Sequence, residues 1–189
     1  MKRILAVDPG CYDTAFVVTD PDPIGAGVNI VAFGKMSNEK FLESLRQQNY
    51  GTAVMVVEAV ASYGMPAGFE VFRTVFWSGR FWEAWYGEKD QIYRLDVKQA
   101  ICHDSRANDS SIRRALMDKF GGDASIRAKR CDHCKGTGRR GKAQVECGCA
   151  GGWKIPPGPL HGVTKDVWAA LGVAVAYSDG ARSQIKGAA

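Results

Sequence analysis

Two apolar runs, each ending in a single carboxylate, restrict this chain more than any other feature. Ile4-Leu5-Ala6-Val7 leads into Asp8 and then the turn pair Pro9-Gly10, and Ala53-Val54-Met55-Val56-Val57 leads into Glu58. Apolar runs of this length, bounded by turn signals, mark buried strands. The second, unbroken by any polar residue, suits a central strand covered on both faces. A carboxylate at the end of a buried strand is costly to desolvate unless it meets a cation or donors. Strand ends beside Gly-containing turns are also where α/β sheets place their chemistry. The plainer alternative is that Asp8 only opens a turn after an edge strand.

The rest of the chain supplies partners for these strands. Residues 15–19 and 28–33 read as strands, joined to the first by the turn 8–13 and to each other by Asp20-Pro21-Asp22-Pro23, giving an antiparallel meander. Residues 38–48 predict a helix with Phe41, Leu42 and Leu45 on one face and Ser37 or Asn38 as cap. A loop over 59–68, carrying Tyr63 and Met65, precedes an aromatic helix over 69–86. Phe69, Phe72, Phe76, Trp77, Phe81, Trp82 and Trp85 wrap more than one of its faces. Most read as core, although a helix too apolar for one core face can bury the second in a subunit partner. Residues 91–95 predict a strand, 96–100 a segment bearing Lys98, and 110–120 an amphipathic helix that turns Arg113, Arg114 and Lys119 outward. The last helix starts at Thr164, with Asp166 in its first turn, where the helix dipole favours an anion.

At 189 residues the chain suits one domain with an insertion. With no basic-then-apolar leader and no apolar run of bilayer length, it reads as a cytoplasmic protein without a membrane partner. The net charge of +5 is unevenly spread. Residues 94–143 hold 13 Lys/Arg against 6 Asp/Glu, or +7, and the remainder 12 against 14, or −2. A basic segment on a near-neutral body points to a polyanion, the alternative being a solvated basic loop.

Two constellations carry chemistry. Asp8, Glu58 and Asp166 each stand at the edge of an apolar element. Brought together they would repel strongly, and shared hard cations are the natural remedy. Two Mg²⁺ ions about 4 Å apart can activate a water and stabilise a leaving oxygen in phosphodiester hydrolysis. The second is Cys131-Asp132-His133-Cys134 with Cys147-Gly148-Cys149, a zinc-ribbon-like spacing in a segment too poor in apolar residues to fold without metal. His133, between two ligating cysteines, would point outward or replace one ligand. Arg127, Lys129, Arg130, Lys135, Arg139, Arg140 and Lys142 surround the cysteines and suit phosphate contact. Cys11 and Cys102, without partners by spacing, read as packing residues. The expected organisation is a body of residues 1–126 and 159–189 with a zinc-binding insertion over 127–158.

Taken in order, four stretches resemble the RuvC family of Holliday junction resolvases, in a form like those of bacteriophages. They are Ile4-Leu5-Ala6-Val7-Asp8-Pro9-Gly10, Val56-Val57-Glu58, Val97-Lys98-Gln99-Ala100 ahead of a basic helix, and Asp166-Val167-Trp168-Ala169-Ala170-Leu171-Gly172-Val173-Ala174. The match runs along nearly the whole chain except residues 127–158. The resemblance implies an α/β, RNase H-like fold, a five-stranded mixed sheet flanked by helices. It also implies a homodimer that cuts opposing strands of a four-way DNA junction with Mg²⁺ (or Mn²⁺), in the cytoplasm of a bacterial cell and encoded by bacterium or phage. Asp8 and Glu58 match the first two metal ligands. Lys98 matches a basic residue near the scissile phosphate, and Tyr63, with Met65 beside it, falls where relatives place an aromatic wedge in the junction. The aromatic helix falls at the family's dimer contact.

The sequence departs from the family in two places. The last helix of the family commonly carries two acidic or His positions three apart; Asp166 matches the first, but the second falls on Ala169. Either Asp166 serves alone, or His161, just before the helix, assists it, or the chain is a weakened or inactive nuclease that binds branched nucleic acid. A nuclease acting on another substrate, such as an RNA–DNA hybrid, is a further reading. The Cys-rich insertion is not typical of the bacterial enzymes. Its Cys-x-x-Cys-x-Gly-x-Gly start is locally similar to the DnaJ zinc motif, and it implies one Zn²⁺ on Cys131, Cys134, Cys147 and Cys149.

Overall fold

The computed structural model describes residues 2–51, 53–61, 64, 66–141 and 144–181. By contacts the chain divides into two compact units, Met1–Leu116 with Thr164–Ala189, and Met117–Val163.

The larger unit is built on one five-stranded sheet. β1 (Arg3–Pro9), β2 (Asp13–Asp22) and β3 (Gly27–Ser37) form the antiparallel meander, and β4 (Ala53–Ala59) and β5 (Lys89–Tyr93) extend β1 in parallel, giving the order β3-β2-β1-β4-β5. Period-two alternation divides the strand residues between two layers. Leu5, Val7, Phe16, Val18, Met55 and Val57 pack under α1 (Asn38–Arg46) and α2 (Phe69–Ala84), against Phe41, Leu45, Trp77 and Phe81. Ile4, Ala6, Val54, Val56 and Ile92 face α3 (Arg94–Cys102) and α5 (Val167–Ser178), against Val97, Val173 and Ala174. α5 is apolar on every side, as befits a helix buried between a sheet and α3. A Cβ on its Gly172 would lie 3.3 Å from Val97 Cγ1, so glycine lets the two helices close up. α4 (Asp109–Lys119) carries Ile112 and Leu116 into the core.

Local chemistry fixes the turn after Asp8. Asn38, fully buried, accepts from Thr14 Oγ1 at 2.6 Å and donates to the Gly10 carbonyl at 3.0 Å, clamping the β1–β2 connection to the start of α1. Ser37 caps that helix by accepting from Lys40 N.

Several boundaries differ from the sequence reading. Asp8 and Pro9 lie inside β1 rather than after it. β2 runs on through Pro21, which stands beyond the last β1 pair, Ile4 with Thr19, and is partnered there only by β3. The strand expected at 91–95 ends at Tyr93, and Arg94 is already helical. The last helix begins at Val167 after a turn in which Lys165 takes φ 44°. In α2 only Trp77 and Phe81 are buried, with Trp85 just beyond it. Phe69, Phe72 and Phe76 are 64%, 66% and 54% exposed, so the expectation of mostly core aromatics fails for that face.

The smaller unit contains a short 3-10 turn at Gly122–Ile126 and two small ribbons. β6 (Lys129–Arg130) pairs with β9 (Trp153–Ile155), and β7 (Arg139–Arg140) with β8 (Val145–Glu146), all antiparallel.

Candidate active site and cysteine cluster

Sheet register brings the first two carboxylates together. Asp8 continues the face of Ile4 and Ala6, and Glu58 that of Val54 and Val56. The two lie one residue past the Val7–Val57 pair of neighbouring parallel strands. Their common face is the one α5 covers, and α5 presents Asp166 at its N-cap with no side-chain hydrogen bond to its own helix. All three carboxylates line one cavity of about 530 Å³, with Arg94, Asp109, Arg113, Lys165, Trp168 and Ala169 also on its wall.

Cations answer the carboxylates. Asp8 pairs across the sheet with Ala15, and Ala15 with Lys35, so Lys35 stands in the row of Asp8 two strands away. Its ammonium is 2.7 Å from Asp166 and 3.6 Å from Asp13. Arg94, the first residue of α3, reaches Glu58 at 3.4 Å and Asp109 at 2.6 Å. Arg113 lies over the Trp168 ring, 5.1 Å from its centre. Burial, then the charge of Glu58, pushes the Asp8 carboxyl up to about 8, with Asp166 adding to the push and Arg94 and Lys35 opposing it. Burial also raises Glu58, against the pull of Arg94 and the nearby charge of Lys98. The hydrogen bond to Asp166 raises Lys35.

A hard divalent cation fits this donor set. It offers only carboxylate oxygens, and partial burial makes those of Asp8 and Glu58 harder to ionise than free carboxylates. Asp166 is drawn toward Lys35 and Glu58 toward Arg94. Among the described residues, only the four cysteines gather three or more ligand atoms within 4.8 Å of one another.

Those four, Cys131, Cys134, Cys147 and Cys149, lie in the smaller unit. The Sγ atoms of Cys131 and Cys147 are 3.7 Å apart and those of Cys134 and Cys149 3.6 Å. Backbone N–H groups of Cys134 and His133 pull the Cys131 thiol down to about 6. At Cys134, burial pushes upward but N–H groups of Gly136 and Gly138 outweigh it, so the net direction is down. Burial and its sulfur neighbours push Cys147 up to about 12. Gly136 and Gly138 take φ 99° and 73°, which turns those amides toward sulfur. A Cβ on Gly152 would collide with the Gly136 carbonyl. Four thiols gathered within 4.8 Å of one another, two already held toward thiolate, form a soft donor set of the kind that suits a tetrahedral ion.

The other expected site residues fall as follows. Lys98 is half-buried on α3 within electrostatic reach of Glu58. His161 is exposed in the smaller unit, its ring edge-on to Trp153 at 6.1 Å. Arg130, Lys135, Arg139 and Arg140 are exposed around the cysteines, and His133 points outward. Tyr63, Met65 and Lys142 lie outside the described residues. Cys11 and Cys102 are half-buried and apart from the cluster. Sequence reasoning missed Lys35, Arg94, Asp109, Arg113 and Lys165. Lys35 left no signal in the sequence: it comes opposite Ala15 only because the β2–β3 register shifts by one residue between Val18 and Thr19.

The parallel extension of a meander, with helices on both faces, is an α/β architecture of RuvC type. The Thermus thermophilus RuvC structure is similar over 94% of this chain and 93% of that one, with a TM-score of 0.56 and 13% identity. The T. thermophilus RuvC solved in complex with a Holliday junction substrate is similar over the same shares, with a TM-score of 0.56 and 10% identity. No family model and no curated protein matches the sequence. The chain has a RuvC-like fold.

Proposed function

We propose that this chain is a divalent-metal-dependent endonuclease that hydrolyses phosphodiester bonds in branched DNA, four-way junctions above all. The observation that carries the reading is the convergence of Asp8, Glu58 and Asp166 on one cavity of a RuvC-like fold. These three residues would hold Mg²⁺ or Mn²⁺, which when bound supplies an activated water and charge neutralisation at phosphate. Lys98 contributes positive charge near Glu58 for the scissile phosphate. Tyr63 and Met65 meet the junction. Arg130, Lys135, Arg139, Arg140 and Lys142 contact DNA backbone from a unit, residues 127–158 at its heart, that Zn²⁺ on the four cysteines holds together. The exposed face of α2 joins two copies. No helix among the described residues is long and apolar enough to cross a membrane, and a junction-cutting role places the protein in a bacterial cytoplasm.

One observation favours a second reading. Ala169 lines the cavity where a further acid would strengthen metal binding, and Asp166 is engaged by Lys35; on that basis the chain is a junction-binding protein with little catalysis. Purified protein incubated with four-way junction, linear duplex and RNA–DNA hybrid separates the two. The nuclease reading expects Mg²⁺-dependent nicking of the junction, lost in Asp8→Asn and Glu58→Gln. Junction binding without cleavage favours the second reading, and full cleavage by either variant ends the carboxylate assignment.

A further inference from the structure

Arg94 has an arrangement that neither core packing nor the carboxylate site by itself requires. Its side chain is a quarter exposed and lies on the cavity wall between two acids of different character. Glu58, at 3.4 Å, has a side chain only 13% exposed and belongs to the carboxylate set; Asp109, at 2.6 Å, has one 83% exposed and sits at the rim. The shorter arm is on the rim acid. The helix start that carries Asp109 is ordered, because Asn108 accepts from Ser111 N at 2.8 Å just before it.

Resting on the nuclease reading, we infer that Arg94 is a phosphate-gripping residue that shares Glu58 with the divalent ion and is kept at the cavity by Asp109. A cation within 4 Å of Glu58 competes with a metal for that carboxylate. When the metal takes Glu58, the stronger contact to Asp109 remains, and the planar guanidinium keeps N–H donors to spare beside the metal. A guanidinium in that position suits two non-bridging oxygens of a phosphodiester, a bidentate match that Lys does not offer. Asp109 is then a positioning residue that acts through Arg94. Lys35 has the same design on the other flank, with Asp13 as its second anchor, but its shorter arm is on the site acid Asp166. It therefore yields less readily.

The competition gives Arg94 a signature that a structural role lacks: removing it improves metal binding while impairing the reaction. Mn²⁺ affinity, read from the electron paramagnetic resonance of the free ion without DNA, should rise three- to tenfold in Arg94→Gln. Junction cleavage at saturating Mn²⁺ should fall at least tenfold, with Arg94→Lys intermediate. Asp109→Asn should weaken Mn²⁺ binding and slow cleavage in the wild-type background, yet change neither by more than twofold in Arg94→Gln. Circular dichroism checks that the variants fold, and should Arg94→Gln fail that check the Lys variant carries the comparison. Unchanged or weaker Mn²⁺ binding, or an unchanged rate, in the Arg94 variant overturns the inference while leaving the nuclease reading intact. A wild-type protein that cuts no junction overturns both.

Discussion

Asp8→Asn should make the metal-free protein more stable at pH 8, and the gain follows from where this carboxyl sits. Burial and the neighbouring Glu58 hold it up to about 8 from its ordinary 3.8. The folded state therefore keeps a proton that the unfolded chain has released. Between those two values the native form binds more protons, so stability falls as pH rises, the reverse of an ordinary salt-bridged aspartate. At 1.36 kcal/mol for each pH unit, carrying a carboxyl from 3.8 to about 8 sets a ceiling of about 6 kcal/mol. Movement toward Arg94 or Lys35 and entry of water relieve much of this, leaving about 2 kcal/mol as the expected effect. In a chain of this size that corresponds to a rise of about 4–8 °C in melting temperature. Differential scanning calorimetry in chelator should show wild type melting higher at pH 5 than at pH 8, and Asp8→Asn losing most of that slope. Mg²⁺ at pH 8 should raise the wild-type Tm and leave the variant nearly unmoved. A variant that keeps the wild-type slope would refute the placement of this charge in a desolvated, like-charged pocket.

Atomic absorption of reduced protein should give one zinc per chain, and Cys134→Ser should lose it and expose residues 127–158 to protease. Phe72→Glu, at a position 66% exposed, should leave the fold intact but shift sedimentation from dimer to monomer. A monomeric wild type at micromolar concentration would remove α2 as an interface. Junction affinity should fall steeply with salt, and the double change Arg139→Ala, Arg140→Ala should lower the slope of log K against log salt by about 2; an unchanged slope would take these side chains off the DNA.

Much of this architecture can be read from residues near one another in the chain, and what cannot be read depends on pairing. The strands at Ile4 and Val54 announce themselves because both faces are covered and the runs are unbroken. Once they are parallel neighbours, alternation alone puts Asp8 and Glu58 on the same side. The four cysteines are legible because their ligand geometry is local, fixed by turns at Gly136 and Gly138. Lys35 is not legible in isolation: its contact, Asp166, is 131 residues away, and only the registers Asp8–Ala15 and Ala15–Lys35 bring it in. Arg94 is missed for a different reason. Ile92 and Leu95 flank it in a short apolar pattern that suits a strand, whereas the backbone turns into α3 at Arg94 to bury Val97. The exposed Phe69, Phe72 and Phe76 show the remaining gap, since a helical apolar stripe says that a face wants cover without saying what covers it.

Charge balance around the cavity ties these observations together. Its wall carries Asp8, Glu58, Asp109 and Asp166 against Arg94, Arg113 and Lys165, with Lys35 bonded to Asp166 from β3. With Lys35 shared between Asp166 and Asp13, four acids on the wall face three bases there, and with Asp8 holding a proton the wall is balanced. On the nuclease reading, a divalent ion would compete with the proton for Asp8 and with Arg94 for Glu58. An acid in place of Ala169 would tip the set toward permanent negative charge, binding metal earlier and holding the basic side chains more tightly. With alanine there, less negative charge holds Arg94 and Lys165 on the wall, and on the nuclease reading they would remain available to a phosphate backbone. On the nuclease reading, the alanine at 169 and the basic side chains of the wall are two sides of one arrangement, in which positive charge from the chain would supplement that of a bound ion.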